Sequence, residues 1–278
     1  MRTKDYREIV IQHMESYKKN FLGITKRGIY KNSPKDYGHI LPKTKEENRI
    51  PIYNLLPSID IKDEILKEIK YHEYAHHLNS SQLMCINFFL PITKDKILLK
   101  LLKQVTNLNF SSDSEIKEIA FEKSFSKRDS TNFDLYIEIS TGEKIYLEIK
   151  YTEQDFGGNC YDNGILKEKY ENKYNDYYEK CIQDSLMDIK GKEEFFRDYQ
   201  INRNISYIKD KNDYVIFILP FDSEDLLNEV KNIVRKNISL ENQVKIVDWK
   251  ELCKIALRES KNTIFHQHFN LFKDKYII

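Results

Sequence analysis

The sequence predicts an α/β protein built around a mixed β-sheet. Residues 133–139 and 144–152 alternate apolar and polar side chains, and the four residues between them, Ser-Thr-Gly-Glu, suit a hairpin turn. Residues 214–220 form a nearly continuous apolar run, which is typical of a strand covered on both faces. Helical patterns alternate with strands after this point, so we expect parallel strands added to an antiparallel hairpin, with helices flanking the sheet.

The two hairpin strands place chemically active side chains on one face. Since successive strand residues point to opposite sides, Asp134 lies on one face, together with Tyr136 and Glu138. The second strand puts Glu148 and Lys150 on the same side. The opposite face is apolar, formed by Phe133, Leu135, Ile137 and Ile139 with Ile145, Leu147, Ile149 and Tyr151. Two carboxylates and an ammonium on a rigid sheet are the groups that a Mg²⁺-dependent phosphodiesterase requires.

Asp134, followed after thirteen residues by Glu148-Ile149-Lys150, resembles the D…ExK signature of the PD-(D/E)XK nuclease superfamily, the restriction-endonuclease-like fold. Three further stretches resemble a bacterial restriction-endonuclease-like family within it. They read Tyr37-Gly38-His39-Ile40-Leu41-Pro42, His77-Leu78-Asn79-Ser80-Ser81-Gln82 and Gln200-Ile201-Asn202-Arg203-Asn204. The resemblance covers residues 20–220 approximately and implies a nuclease.

The resemblance implies a metal site at the hairpin. Asp134, Glu148 and the backbone carbonyl of Ile149 would bind Mg²⁺, with Mn²⁺ as a substitute, in a site for one or two ions. The superfamily places an additional acidic residue just upstream of the motif Asp. Glu122 is the candidate for it, although Glu118 shares the predicted face of the strand over 116–125 and stays open as an alternative.

The resemblance also implies roles for other polar residues. Lys150 would orient or deprotonate the attacking water, and Gln200, on a predicted helix over 193–209, would orient that water or Lys150. The residues expected to bind DNA are His77, Ser80, Ser81, Gln82, Arg203 and Asn204.

The implied substrate is double-stranded DNA. A restriction or phage-defence endonuclease is the leading hypothesis, acting as a homodimer with a cognate methyltransferase and releasing a 5′-phosphate. A non-catalytic DNA-binding relative of the same fold is an alternative, against which the intact Asp134, Glu148 and Lys150 argue.

A different chemistry is suggested by His72-Glu73-Tyr74-Ala75-His76, which matches the H-E-x-x-H motif of zinc proteases. The motif requires a helix, and residues 60–89 are predicted to be helical. No third ligand follows nearby; His266-Gln267-His268 is a distant candidate. A zinc-dependent hydrolase is therefore the second alternative.

Composition sets the class of protein. The 278 residues carry a net charge of +1, although residues 1–50 hold twelve Lys and Arg against six Asp and Glu. Four widely spaced cysteines without a CxxC pair, and the absence of a long apolar run, predict a reduced, cytoplasmic protein without a membrane span. We expect one nuclease domain, with an N-terminal helical and irregular part over 1–107 and a catalytic core over 110–278.

Overall fold

The computed structural model describes residues 1–31, 33–42, 51–108, 111, 114–126, 132–157 and 160–278, with the backbone alone for residue 238. The sequence predicts an irregular segment over 19–57 and a loop over 154–163, and parts of both lie outside these residues. The strands are β1 (Gly28–Ile29), β2 (Asp36–Tyr37), β3 (Ile116–Ser124), β4 (Asn132–Ile139), β5 (Lys144–Ile149), β6 (Tyr161–Asp162), β7 (Ile165–Leu166), β8 (Asp213–Leu219) and β9 (Val244–Asp248).

The helices surround the longer strands. They are α1 (Thr3–Asn20), α2 (Glu64–Glu68), α3 (Ser81–Phe89), α4 (Ile97–Thr106), α5 (Glu168–Lys173), α6 (Glu179–Asp184), α7 (Lys192–Arg197), α8 (Tyr199–Ile205), α9 (Glu224–Lys236), α10 (Trp249–Glu259) and α11 (Phe265–Tyr276). A π-helical turn, Tyr174–Tyr178, joins α5 to α6. None of the helices in the described part of the chain combines the length and apolar character needed to cross a membrane.

The main sheet has five strands in the order β3-β4-β5-β8-β9. β3, β4 and β5 are antiparallel neighbours, whereas β8 and β9 add in parallel beyond β5. The predicted mixed α/β sheet is therefore confirmed. β5 occupies the centre, where the antiparallel and parallel halves meet. Two short ribbons, β1 with β2 and β6 with β7, lie outside this sheet.

Helices cover both faces of the sheet. On the first face, apolar residues of β4, β5 and β8 pack with α1, α3, α4, α10 and α11 in one core. On the second face, other residues of the same strands pack with α8 and α9. A small third cluster joins Phe195 and Phe196 of α7 to four tyrosines: Tyr170, Tyr174, Tyr177 and Tyr178. Residues that precede β3 thus share the first core with the sheet.

The predicted alternation fails at one end of β3 and β4. The alternation predicts that Phe125 shares a face with Phe121 and that Phe133 shares one with Leu135, but the rings of Phe125 and Phe133 contact Tyr146 on the second face. For Phe125 the cause is Glu122, whose φ of 53° places it in the left-handed region. A residue in this conformation interrupts the regular strand pleat, so the side chains that follow Glu122 point to the other face.

Two predicted helices are interrupted. The helix predicted over 60–89 consists of α2 and α3, separated by irregular backbone and turns over residues 69–80. Ser80 ends this loop, and its side chain accepts a hydrogen bond from the N–H of Leu83, which caps α3. The helix predicted over 193–209 is split at Asp198, where φ and ψ of −122° and 49° separate α7 from α8. The loop over 69–80 matters most, because it lies beside the hairpin.

A buried histidine in α11 predicts acid sensitivity. The Nε2 of His268 donates to the carbonyl of Asn87 at 2.7 Å, and its Nδ1 accepts from Ser58. Burial lowers the pKa of His268 from 6.5 to about 4. Below pH 6.5 the unfolded chain therefore binds a proton that the folded chain excludes, and stability falls by about 2 kcal/mol as the pH drops to 5.

Urea denaturation at pH 7.5 and pH 5 measures this loss. We expect a His268→Gln variant to lose less stability between the two pH values than the wild-type protein does. Equal losses in the two proteins would show that His268 does not contribute to the acid sensitivity.

Candidate active site

The hairpin brings two carboxylates to one end of the sheet. Leu135 pairs with Leu147, and the next residues outward are Asp134 and Glu148. The Oδ2 of Asp134 accepts a hydrogen bond of 2.7 Å from the N–H of Ile149. This bond ties the Asp134 carboxylate to the backbone beside Glu148.

Lys150 follows β5 directly and points to the same face as Glu148. Its Nζ lies 3.0 Å from Oε1 of Glu148 and donates a 3.2 Å hydrogen bond to Oε1 of Gln200. The residue is only 7 % exposed. Trp249 fixes the backbone, because its Nε1 donates to the carbonyl of Lys150 at 3.1 Å. Glu148 and Gln200 therefore hold the ammonium, and Trp249 holds the backbone of the same residue.

Helix α8 supplies two amides to the hairpin. Gln200 contacts Lys150, and Asn204, one turn later, donates from Nδ2 to Oε2 of Glu148 at 3.0 Å. Asn204 is fully buried, and its expected role in DNA binding stays a prediction. Arg203 is also mostly buried, and its guanidinium lies 5.4 Å from the ring centre of Tyr199. The amides of α8 thus support the hairpin carboxylate and ammonium.

A third carboxylate reaches the site from β3. Oε1 of Glu122 accepts from Nε2 of Gln82 at 2.8 Å, and Oε2 lies 3.4 Å from Nε2 of His72. Gln82 is almost fully buried in this network, and its expected role as a DNA contact stays a prediction. Glu118 instead forms an ion pair with Lys123. Glu122 is therefore the β3 acid that faces Asp134.

The charged groups of the site shift one another's pKa values. Burial, followed by the carboxylates of Glu148 and Glu122, raises the pKa of Asp134 well above its usual value. For Lys150, burial acts to lower the pKa, but Glu148, Glu153 and Asp134 together outweigh it and raise the pKa. Asp134 is therefore buried beside carboxylates that disfavour its charged form, and a bound cation would offset this repulsion.

An open cleft of about 560 Å³ leads to Lys150 and Gln200. Three of the predicted DNA-binding residues line this cleft: His77, Ser80 and Ser81. Arg203, Asn204 and Gln82 do not line it. The cleft gives solvent and substrate a route to the ammonium of Lys150.

A comparison with protein-family models identifies the family. The model described as Restriction Endonuclease associating with ARP matches residues 12–277. The chain belongs to this restriction endonuclease family. No curated protein and no solved structure matches it. Membership of a restriction endonuclease family implies a nuclease that acts on DNA.

The residues of the H-E-x-x-H motif do not form a helix in this restriction endonuclease. Residues 72–76 lie in the turns between α2 and α3, so His72 and His76 do not share a helical face. His72 contacts Glu122, whereas the ring of His76 packs 4.6 Å from that of His77. His268, one of the distant candidate ligands, binds Asn87 and Ser58. The geometry that a zinc protease requires is therefore not formed.

The hairpin residues fit a Mg²⁺ site better. Among the described residues, no three His, Cys, Asp or Glu side chains are spaced to hold a metal ion on their own. Mg²⁺ does not need such a cage, because it commonly binds one or two carboxylates and completes its shell with water and substrate phosphate. Asp134 and Glu148 offer hard oxygen donors, and a divalent cation would offset the repulsion that raises the pKa of Asp134.

Sequence reasoning missed His72 and Asn204 as parts of the hairpin site. His72 was considered only as a zinc ligand, and its contact with Glu122 raises the pKa of His72 despite partial burial. Asn204 lies 56 residues from Glu148 along the chain. The spacing of Gln200 and Asn204 on one helical face was the only signal in the sequence for the second contact.

Proposed function

We propose that this restriction endonuclease is a Mg²⁺-dependent enzyme of the PD-(D/E)XK type that hydrolyses phosphodiester bonds of double-stranded DNA. The observation that carries the proposal is the cluster of Asp134, Glu148 and Lys150, gathered by the hairpin and supported by α8 at the end of an open cleft. A non-catalytic relative would have no need to keep two carboxylates and an ammonium together in a partly desolvated site.

Asp134, Glu148 and the carbonyl of Ile149 would hold Mg²⁺, or Mn²⁺ as a substitute, and Glu122 is placed to add an acidic group. When bound, the metal lowers the pKa of a coordinated water and offsets the negative charge of the scissile phosphate. Asn204 holds one oxygen of Glu148 through its amide, so that the carboxylate keeps a fixed orientation.

Lys150 acts at the reacting phosphate. Its ammonium, aligned by Oε1 of Gln200, orients the attacking water and stabilises negative charge as it builds on the phosphate oxygens. Because the residue is almost fully buried, water screens this charge weakly and the stabilisation is large. No covalent intermediate is required, and the resemblance implies a 5′-phosphate product.

The biological role that we propose is restriction or phage defence in the cytoplasm. One chain presents one such hairpin, so cutting both strands of a duplex calls for two copies, and we propose a homodimer. A cognate methyltransferase would protect host DNA. Digestion of unmethylated DNA beside methylated cellular DNA tests the defence role, since only the unmethylated DNA should be cut at its sites.

The decisive test replaces Glu148 with its neutral isostere. We expect wild-type protein to cut DNA with Mg²⁺ and not with EDTA, and Glu148→Gln to lower the rate by at least about a hundredfold. Glu138→Gln is the matched control, since Glu138 lies on β4 of the same hairpin and forms an ion pair with Lys117 instead. Equal cutting by wild type and Glu148→Gln would exclude the proposed site.

A further inference from the structure

We propose that this nuclease binds one unstacked nucleobase of its DNA on the ring of Tyr30, in the cleft that contains Lys150. The inference rests on the proposed function and adds the conformation of the substrate. It arises from a group of aromatic residues outside the hairpin: Tyr30 next to β1, and Tyr74 and His77 in the loop between α2 and α3.

The rings of Tyr30, Tyr74 and His77 pack against one another and form an aromatic platform. Tyr30 and Tyr74 stack with centroids 5.3 Å apart and an interplanar angle of 22°. The ring of His77 lies 5.7 Å from Tyr30 and 5.2 Å from Tyr74. Tyr30 nevertheless stays 39 % exposed. A large ring that is backed by a second ring yet open to a cleft offers a π surface at little cost in conformational freedom.

One cation contacts these rings and a second lines the cleft, whose wall also carries Glu153 and Asp155. The Nζ of Lys31 lies 5.6 Å from the ring centre of Tyr30 and 5.4 Å from that of Tyr74. Arg7 of α1 also lines the cleft. Exposed aromatic rings interleaved with Lys and Arg are the combination by which proteins hold single-stranded nucleic acid, because bases stack on the rings while cations attract the phosphates.

The aromatic platform and the proposed catalytic residue Lys150 line the same cleft. The same cavity of about 560 Å³ is lined by Tyr30 and Tyr74 and by Lys150 and Gln200. This volume suits one small ligand rather than a DNA duplex. A base that leaves the helix next to the scissile phosphate would enter the cavity, stack on Tyr30, and meet the polar side chain of Asn79 on the wall.

Photocrosslinking tests this placement directly. DNA that the enzyme cuts, with 5-iodouracil in place of thymine, is bound in EDTA and irradiated, and the crosslinked peptide is identified by mass spectrometry. We expect crosslinks to Tyr30 or Tyr74. One arm uses duplex DNA and the other the separated strand. A crosslink from the duplex indicates a flipped base, whereas a crosslink confined to the single strand indicates a single-stranded substrate.

Binding affinities test the energy of stacking. In EDTA, we expect Tyr30→Ala to weaken DNA binding by about ten- to a hundredfold, while Tyr30→Phe, which keeps the ring, binds within about twofold of wild type. Tyr53→Ala is the matched control, because Tyr53 is 52 % exposed and does not line the cleft. If Tyr30→Ala binds and cuts like the wild type, the inference is overturned while the proposed nuclease stands; if the wild type neither binds nor cuts DNA, both are overturned.

Discussion

A Lys150→Met variant is expected to lose DNA cleavage by about a hundredfold to a thousandfold while keeping its affinity for DNA. Methionine preserves the length of the side chain but removes the ammonium that is held between Glu148 and Gln200. Removal of one preorganised electrostatic group from an active site has an effect of this size. Single-turnover cleavage with Mg²⁺ and equilibrium binding in EDTA measure the two quantities separately.

Lys144→Met is the matched control for this variant. Lys144 begins β5, six residues before Lys150, and pairs in the sheet with Glu138 and Asp213. We expect its cleavage rate to equal that of wild type. Because loss of Lys150 leaves Glu148 buried with less compensation, the Lys150→Met protein should also melt at a lower temperature. A Lys150→Met protein that cuts at the wild-type rate would remove this residue from the mechanism.

Mg²⁺ is expected to raise the melting temperature of the wild-type protein and to leave that of an Asp134→Asn variant almost unchanged. Burial and the repulsive charges of Glu148 and Glu122 raise the pKa of Asp134. A cation that binds only the folded protein relieves this repulsion and stabilises by about 2.7 kcal/mol at a hundredfold excess over its dissociation constant.

The Asp134→Asn substitution should also change the stability of the protein in the absence of metal. Asparagine can still accept the hydrogen bond from Ile149, and it removes one buried negative charge. We therefore expect Asp134→Asn in EDTA to melt above the wild type, by about 2–4 °C for each kcal/mol gained. Thermal unfolding with Mg²⁺, with Ca²⁺ and with EDTA measures both effects. If Mg²⁺ does not change the melting temperature of the wild-type protein, the result would argue against a metal site at the hairpin.

The central elements could be predicted because their signals are local. Alternation across residues 144–152 and the apolar run at 214–220 each depend on side chains within a few positions, and both strands are present in β5 and β8. The face of Glu148 and Lys150 followed from the same period of two. Contacts between neighbours on one strand need no knowledge of the remaining chain.

Other features depend on the tertiary structure. The apolar and helix-forming residues of 60–89 suggested one helix, but residues 69–80 turn to place Gln82 and His72 against Glu122. The positive φ of Glu122 reverses the face of Phe125, and no residue type at this position signals it. Such backbone strain in a non-glycine residue is characteristic of functional sites. The buried contact of Asn204 with Glu148 likewise requires the packing of α8 on the sheet.

The proposed catalytic residues lie on or next to β5, in the middle of the sheet, whereas the proposed base-binding residue Tyr30 lies outside this sheet. Its backbone is hydrogen-bonded to β4 on one side and β8 on the other, so its amide protons should be among the last to exchange with deuterium. The cleft wall that carries Tyr30 stands instead beside a ribbon of only two residue pairs. If a base binds on Tyr30 as proposed, substitutions there would alter DNA binding while the backbone of β5 keeps its hydrogen bonds to β4 and β8.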